Sequence, residues 1–190
     1  MGLLAAIRGL FSPSPASAQT ATPRGPAPAL ASKLPPLLSH DSPAMLRALE
    51  LAREAASIGE VPIGAVVYDT ASGKIIGEGS NRREIDHDPA AHAELIAIRK
   101  ACDTIGDWRL NHCTLVVTLE PCPMCAGLIV NARVGRLVYG ATDPKAGATD
   151  TLFRLTTDPR LNHRVEPIGG FMAAECGRLL KDFFRSLRAK

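Results

Sequence analysis

Residues 113–131 read CTLVVTLEPCPMCAGLIVN. The unbroken apolar, β-branched run Cys113–Leu119 predicts a buried strand, because a strand covered on both faces loses the alternation of a half-exposed one. Pro121 ends it. Pro123, at a first-turn position where a missing N–H is harmless, opens a helix predicted over Pro123–Asn131. Arg136–Tyr139 supplies the next strand, so the unit reads strand, helix, parallel strand. Cys122 and Cys125 fall where strand becomes helix.

Upstream, Ser42 and Pro43 form a cap-and-first-turn pair. The helix they open carries Met45, Ala48, Leu49, Ala52, Ala55 and Ala56 at helical spacing, and Gly59 is placed to end it. Ile63–Tyr68 and Lys74–Gly79 predict a hairpin across a turn at Asp69–Gly73. Asp88 and Pro89 read as a second such pair, opening a helix over Ala90–Cys102 with His92 and Glu94 in its first turn. Downstream, Asp143–Pro159 is turn-rich with a short helix near Thr151–Leu155. Arg164–Pro167 reads as a last strand and Phe171–Leu187 as a terminal helix. The order predicts one α/β layered domain over residues 42–190, antiparallel in its hairpin, parallel later, with helices on both faces of the sheet. Residues 1–41, with SPSPASA and TPRGPAPA, lack apolar periodicity and are expected to form a disordered extension. A transit peptide is the second reading of that segment, and Leu3–Leu10 a short signal core interrupted by Arg8.

The formal charge of +3 lies wholly in residues 1–40, which contain Arg8, Arg24 and Lys33 and no acid. A nucleic-acid partner therefore cannot be argued from overall charge. The local excess of Arg178, Lys181, Arg185, Arg188 and Lys190 over Asp182 reads first as a solvated helix face. Five irregularly spaced cysteines argue against a disulfide scaffold and for a reducing compartment. No apolar stretch is long enough to span a membrane.

Imidazole and thiolate are zinc donors, and a catalytic zinc site commonly has three protein ligands and one exchangeable position. His92-Ala93-Glu94 and Cys122-Pro123-Met124-Cys125 supply such a set. Both fragments open a helix, so two positive helix ends can point at one centre and favour thiolate. No second C-x-x-C completes a four-cysteine site, so an open position is the simpler reading than structural zinc or a redox pair. Cys102, Cys113 and Cys176 read as small core residues. His40, His87, His112 and His163 have no such company.

His-Ala-Glu ahead of Pro-Cys-x-x-Cys is the signature of the cytidine deaminase superfamily. Within it the chain resembles the bacterial tRNA adenosine deaminases, through VPIGAVV (61–67), GEGSN (77–81), HDPAAHAE (87–94), TLEPCPMCAG (118–127), YGATDPKAGA (139–148), NHRVE (162–166) and LLKDFFR (179–185). The resemblance covers roughly residues 43–188 and leaves out the Pro-rich leader. It implies a three-layer αβα fold with a mixed five-stranded sheet. It further implies one zinc ion per subunit on His92, Cys122 and Cys125, with Glu94 moving protons while zinc-held hydroxide attacks the wobble adenosine (position 34) of a tRNA anticodon loop and ammonia leaves. Asn81 is implied to hold the base or its ribose, Val61 to form pocket wall, and Asp143 to lie near the ribose hydroxyls, although Asp143 before Pro144 also reads as a plain turn residue. Phe183, Phe184 and Arg185 resemble RNA contacts of the family's terminal helix. A homodimer in the cytoplasm is implied as well, or an organellar protein if the leader is a transit peptide. Two other readings share the motif. One is a free nucleobase or nucleoside deaminase acting on guanine or cytosine, and the other is a noncatalytic zinc-stabilised RNA-binding module.

Overall fold

The computed structural model describes residues 36–189. The expectations for the leader lie outside the described residues up to 35. Four helices, α1 (Asp41–Ser57), α2 (Ala93–Ile105), α3 (Pro123–Asn131) and α4 (Ala173–Arg188), accompany five strands, β1 (Gly64–Asp69), β2 (Ile75–Ser80), β3 (Cys113–Leu119), β4 (Arg136–Ala141) and β5 (Pro167–Ile168). The sheet order is β2-β1-β3-β4-β5. β1 runs antiparallel to β2 and β3, while β3, β4 and β5 are parallel. This is the mixed five-stranded sheet expected.

Strand periodicity of two divides the core between the faces. Ala65 and Val67 of β1, Leu115 and Val117 of β3, and Leu137 and Tyr139 of β4 pack with Ala93, Ala97, Ile98, Ala101 and Ile129 of α2 and α3. The alternate residues Val66, Tyr68, Val116 and Val138 pack with Met45, Ala48 and Leu49 of α1 and Cys176 of α4. The strands therefore lie between two helix layers, and β3 is buried along nearly all its length. No helix among the described residues is long and apolar enough to cross a membrane.

Helix α1 departs from the expected start. Ser42 is not its cap. The helix begins at Asp41, and the N–H of Ala44 donates to His40 O at 3.2 Å. The reason is that Asp41 is pinned from elsewhere. Its fully buried carboxylate accepts from Arg136 Nη2 at 2.7 Å, from the Tyr68 hydroxyl at 2.6 Å and from the N–H of Leu38 at 2.6 Å. The predicted apolar stripe is otherwise present, joined by Ala44 and Leu51, with Ala56 only half-buried. Gly59, at φ 86°, lies just past the helix end as read.

The Asp41 cluster ties α1 to β1 and β4, and it yields a stability prediction. Burial pushes the Asp41 carboxyl up, but the hydrogen bonds from Arg136, Tyr68 and Leu38 outweigh it and hold the carboxyl below its ordinary 3.8. Because the folded-state value is the lower one, this stabilisation is complete above about pH 4 and is lost as acid carries the pH down through the depressed value. Asp41→Ala leaves the Arg136 guanidinium nearly buried and unpaired, and should lower stability by roughly 3–5 kcal/mol at neutral pH. Urea unfolding of the two proteins at pH 7 and pH 3 checks both points. A loss below about 1 kcal/mol at pH 7, or one undiminished at pH 3, contradicts the account.

Candidate active site

The parallel strands end where α3 begins, and the carboxyl edge of such strands is where open α/β sheets place ligands. Cys122 is the residue before α3, with extended backbone, and Pro123 stands in its first turn. Across from it, His92 precedes α2, also with extended backbone (φ −81°, ψ 149°). His92 is therefore the cap residue of α2, not a member of its first turn as expected, and the helix starts three residues later than Ala90. Asp88 and Pro89 belong to a separate tight turn, in which the Ala90 N–H donates to Asp88 Oδ1 at 2.8 Å and the Ala91 N–H to Asp88 O at 3.1 Å. The first helical bond runs from the Ile96 N–H to His92 O. Glu94 stays in the first turn.

Close approach of β2 fixes this helix end. A Cβ on Gly79 would stand 2.3 Å from Ala93 O, nearer than any side chain tolerates, so glycine is required there.

His92, Cys122 and Cys125 offer ligand atoms that all lie within 4.8 Å of one another. His92 Nδ1 is 3.6 Å from each sulfur. Cys125 is buried, while His92 and Cys122 are part-exposed. Cys122 is pushed down to about 4, chiefly because the Cys125 thiol donates to it, with burial opposing and His92 helping. Cys125 is pushed up as that donor, burial adding to the shift. A divalent ion bound there would displace thiol protons. One imidazole and two sulfurs at two helix starts suit zinc, and no fourth histidine, cysteine or carboxylate joins the group among the described residues.

Glu94 is buried, at 4 % exposure. Burial pushes its carboxyl up to about 7, the Cys122 charge pushing the same way and His92 opposing. It stands two residues beyond His92 in the chain, with no ion-pair partner among the described residues.

Asn81 is buried, at 5 % exposure. Its neighbour Arg82 donates its N–H to Ala91 O at 3.0 Å, immediately before His92. Val61 is part-exposed beside buried Pro62. Asp143 performs the turn role: its Oδ1 accepts the N–H groups of Lys145 at 2.9 Å and Ala146 at 3.2 Å. It is also tied to the segment that carries Cys122 and Cys125, since its own N–H donates to Glu120 Oε2 at 3.0 Å. Phe183, Phe184 and Arg185 are not brought to the cluster. They stand on α4, on the sheet face opposite α2 and α3, where the two rings meet edge to face at 5.5 Å and Arg185 pairs with Asp182.

Besides Asp41, two buried carboxylates escaped the reading of the sequence. Glu120, directly before Pro121-Cys122, accepts the N–H groups of Asp150 and Thr151 at 2.9 Å and that of Thr149 at 3.3 Å, and so holds the loop from Asp143 to Thr151 against the site. Glu60 accepts from Asn81 Nδ2 at 2.8 Å and from the Ile85 N–H at 2.7 Å. The available signal was an acid abutting each motif on the strand side, a place where an unpartnered charge is costly. The five cysteines are free, and Cys113 and Cys176 are buried among apolar side chains as expected. Cys102 is part-exposed.

The MafB19-like deaminase family model matches residues 39–188. The tRNA-specific adenosine deaminase of Bacillus subtilis is 46% identical over 80% of this chain and 94% of its own length. That of Haemophilus influenzae is 47% identical over 78% and 85%. The chain belongs to the tRNA-specific adenosine deaminase family. A solved structure from work on A-to-I editing by tRNA:A34 deaminases is similar at TM-score 0.69 and 42% identity, covering 73% of this chain and 99% of that one. A guanine deaminase from Nitrosomonas europaea has nearly the same fold, TM-score 0.67, but 25% identity, over 79% of this chain and 87% of its own. The shared fold positions the donor set. The separation in identity is what favours the tRNA branch over the guanine one.

Proposed function

We propose that this chain hydrolytically deaminates the wobble adenosine of a tRNA anticodon loop to inosine, using zinc held by His92, Cys122 and Cys125. The observation that carries the reading is one imidazole and two sulfurs gathered at the starts of α2 and α3 beside a buried carboxyl, in a chain 46% identical to a tRNA-specific adenosine deaminase. When bound, zinc supplies a Lewis acid that lowers the pKa of water to about 7. Glu94 takes the proton from the attacking water and delivers it to a ring nitrogen, then takes the hydroxyl proton from the tetrahedral carbon as its C=O forms and passes it to the departing amine, so that ammonia leaves and the base keeps oxygen. A carboxyl suits this because it must accept and return protons within one turnover.

Asn81 and Val61 are, in this reading, the side chains that meet the base or its ribose. Asp143 reaches the ribose with the carboxylate oxygen its turn leaves over. An anticodon loop presents its base unpaired, and such a base can be splayed into a pocket. Phe183, Phe184 and Arg185 would meet RNA away from the reacting base, by stacking and phosphate pairing. The protein acts as a cytoplasmic homodimer in this reading. Free cysteines fit a reducing compartment. Exposed Met124, Leu152 and Phe153, on α3 and on the loop tied to Pro121 through Ala148, offer apolar surface for a second copy.

Ammonia release from an adenosine-34 anticodon stem-loop, guanine and cytidine, offered separately to purified protein, tests the reading. Release from the stem-loop alone is expected. Release from guanine or cytidine in preference would select the free-base alternative, and none from any substrate would leave a noncatalytic module.

A further inference from the structure

Glu60 is fully buried, yet the reaction as described makes no use of it. It lies before β1, and both of its oxygens are committed. Oε1 takes the N–H of Ile85 at 2.7 Å and Oε2 takes Nδ2 of Asn81 at 2.8 Å. The Asn81 backbone is separately fixed, donating its N–H to Ile63 O at 3.0 Å, while the next residue is bonded to Ala91.

A carboxylate accepts and does not donate. The amide end that faces Glu60 is therefore the nitrogen, and Asn81 is held in one of its two near-isosteric orientations. Its Oδ1 then has no partner among the described residues, and one Nδ2 proton stays over. We propose that Glu60 is a positioning residue, which sets the amide of Asn81 so that substrate meets an oxygen acceptor and a single N–H donor in fixed places. This rests on the reading of Asn81 as a substrate ligand.

Glu60→Gln is the informative substitution. The Gln oxygen can still accept from Ile85, but its nitrogen then faces Asn81, where two donors would meet. Asn81 turns over to offer Oδ1 to the new donor, and its nitrogen stands where substrate met oxygen. On the adenosine-34 stem-loop, kcat/KM should fall about tenfold or more, mostly through KM, with zinc content and unfolding midpoint near those of the parent. Asn81→Ala should also lose activity, and the double variant should be no worse than Asn81→Ala alone, since no amide remains to be turned. Losses that multiply in the double variant would overturn the proposal, as would unchanged kinetics in Glu60→Gln while Asn81→Ala is impaired. If Asn81→Ala itself keeps full activity, it is the substrate role of Asn81 that fails. Should Glu60→Gln not fold, the parent protein still decides: one side-chain amide proton of Asn81 should be shifted downfield and protected from exchange in its NMR spectrum, and two protons at ordinary amide shifts, both exchanging freely with solvent, would contradict the assignment.

Discussion

Glu94→Gln should give a folded, zinc-loaded protein whose turnover on the adenosine stem-loop is lower by about 10²–10⁴-fold. The amide has nearly the shape of the carboxyl, and the site is tight: Glu94 is 4 % exposed, in a helix turn whose Ala93 and Ala97 are fully buried. Packing and metal binding should therefore survive. What disappears is a group able to take a proton and give it back at two points of one cycle. Single-turnover kinetics with metal analysis on the same sample separate these effects. A native-like, metal-loaded variant turning over at the parental rate would remove Glu94 from the proton path. A variant without metal would instead mean that the carboxyl helps build the site.

Cys122→Ala should fail differently, losing zinc and with it all measurable activity. It removes one of three protein donors, and two remaining donors at this spacing cannot hold the ion against dilution. The fold should persist, because Cys122 is a part-exposed residue ahead of α3 rather than a core side chain. Cys113→Ala is the contrasting case. Cys113 is buried in the core under α2 and α3, so its truncation should lower stability by about 1–2 kcal/mol and leave the metal in place. Zinc per chain after gel filtration into metal-free buffer checks the pair. Full occupancy in Cys122→Ala would remove Cys122 from the ligand set.

The readability of this sequence followed the range of the forces involved. β3 and α3 were legible to the residue, because a continuous apolar run closed by Pro121 and reopened by Pro123 contains both boundary signals locally. The hairpin and both helix layers were legible for the same reason. The start of α2 was not, since Asp88-Pro89 is equally good chemistry for a tight turn, and the close packing of β2 glycines on α2 decided the matter. The short helix near Thr151 is instead a 3-10 turn at Leu155–Thr157. The N–H groups of Thr149, Asp150 and Thr151 are taken by Glu120, about thirty residues earlier, and no local pattern announces that. The last strand is Pro167–Ile168, short and displaced from Arg164–Pro167, because only two residues pair with β4.

Within the site, the spacing of His92, Cys122 and Cys125 pointed to the group that the fold gathers, and that of Glu94 to the acid proposed beside it, since each is marked by its own chemistry. Glu60, Glu120 and Asp41 act by holding others. Leu38 beside Asp41 apart, their partners lie 21 to 95 residues away along the chain, so their roles could be seen only in the fold.

The claim on which the chemistry depends is a zinc ion held by one imidazole and two thiolates, with a position left for substrate water. X-ray absorption at the zinc edge of the purified protein reads the donor set directly. The account predicts a first shell containing two sulfurs at about 2.3 Å and nitrogen or oxygen donors at about 2.0–2.1 Å, one of them a single imidazole. A third sulfur, a second imidazole, or a shell without sulfur would contradict it.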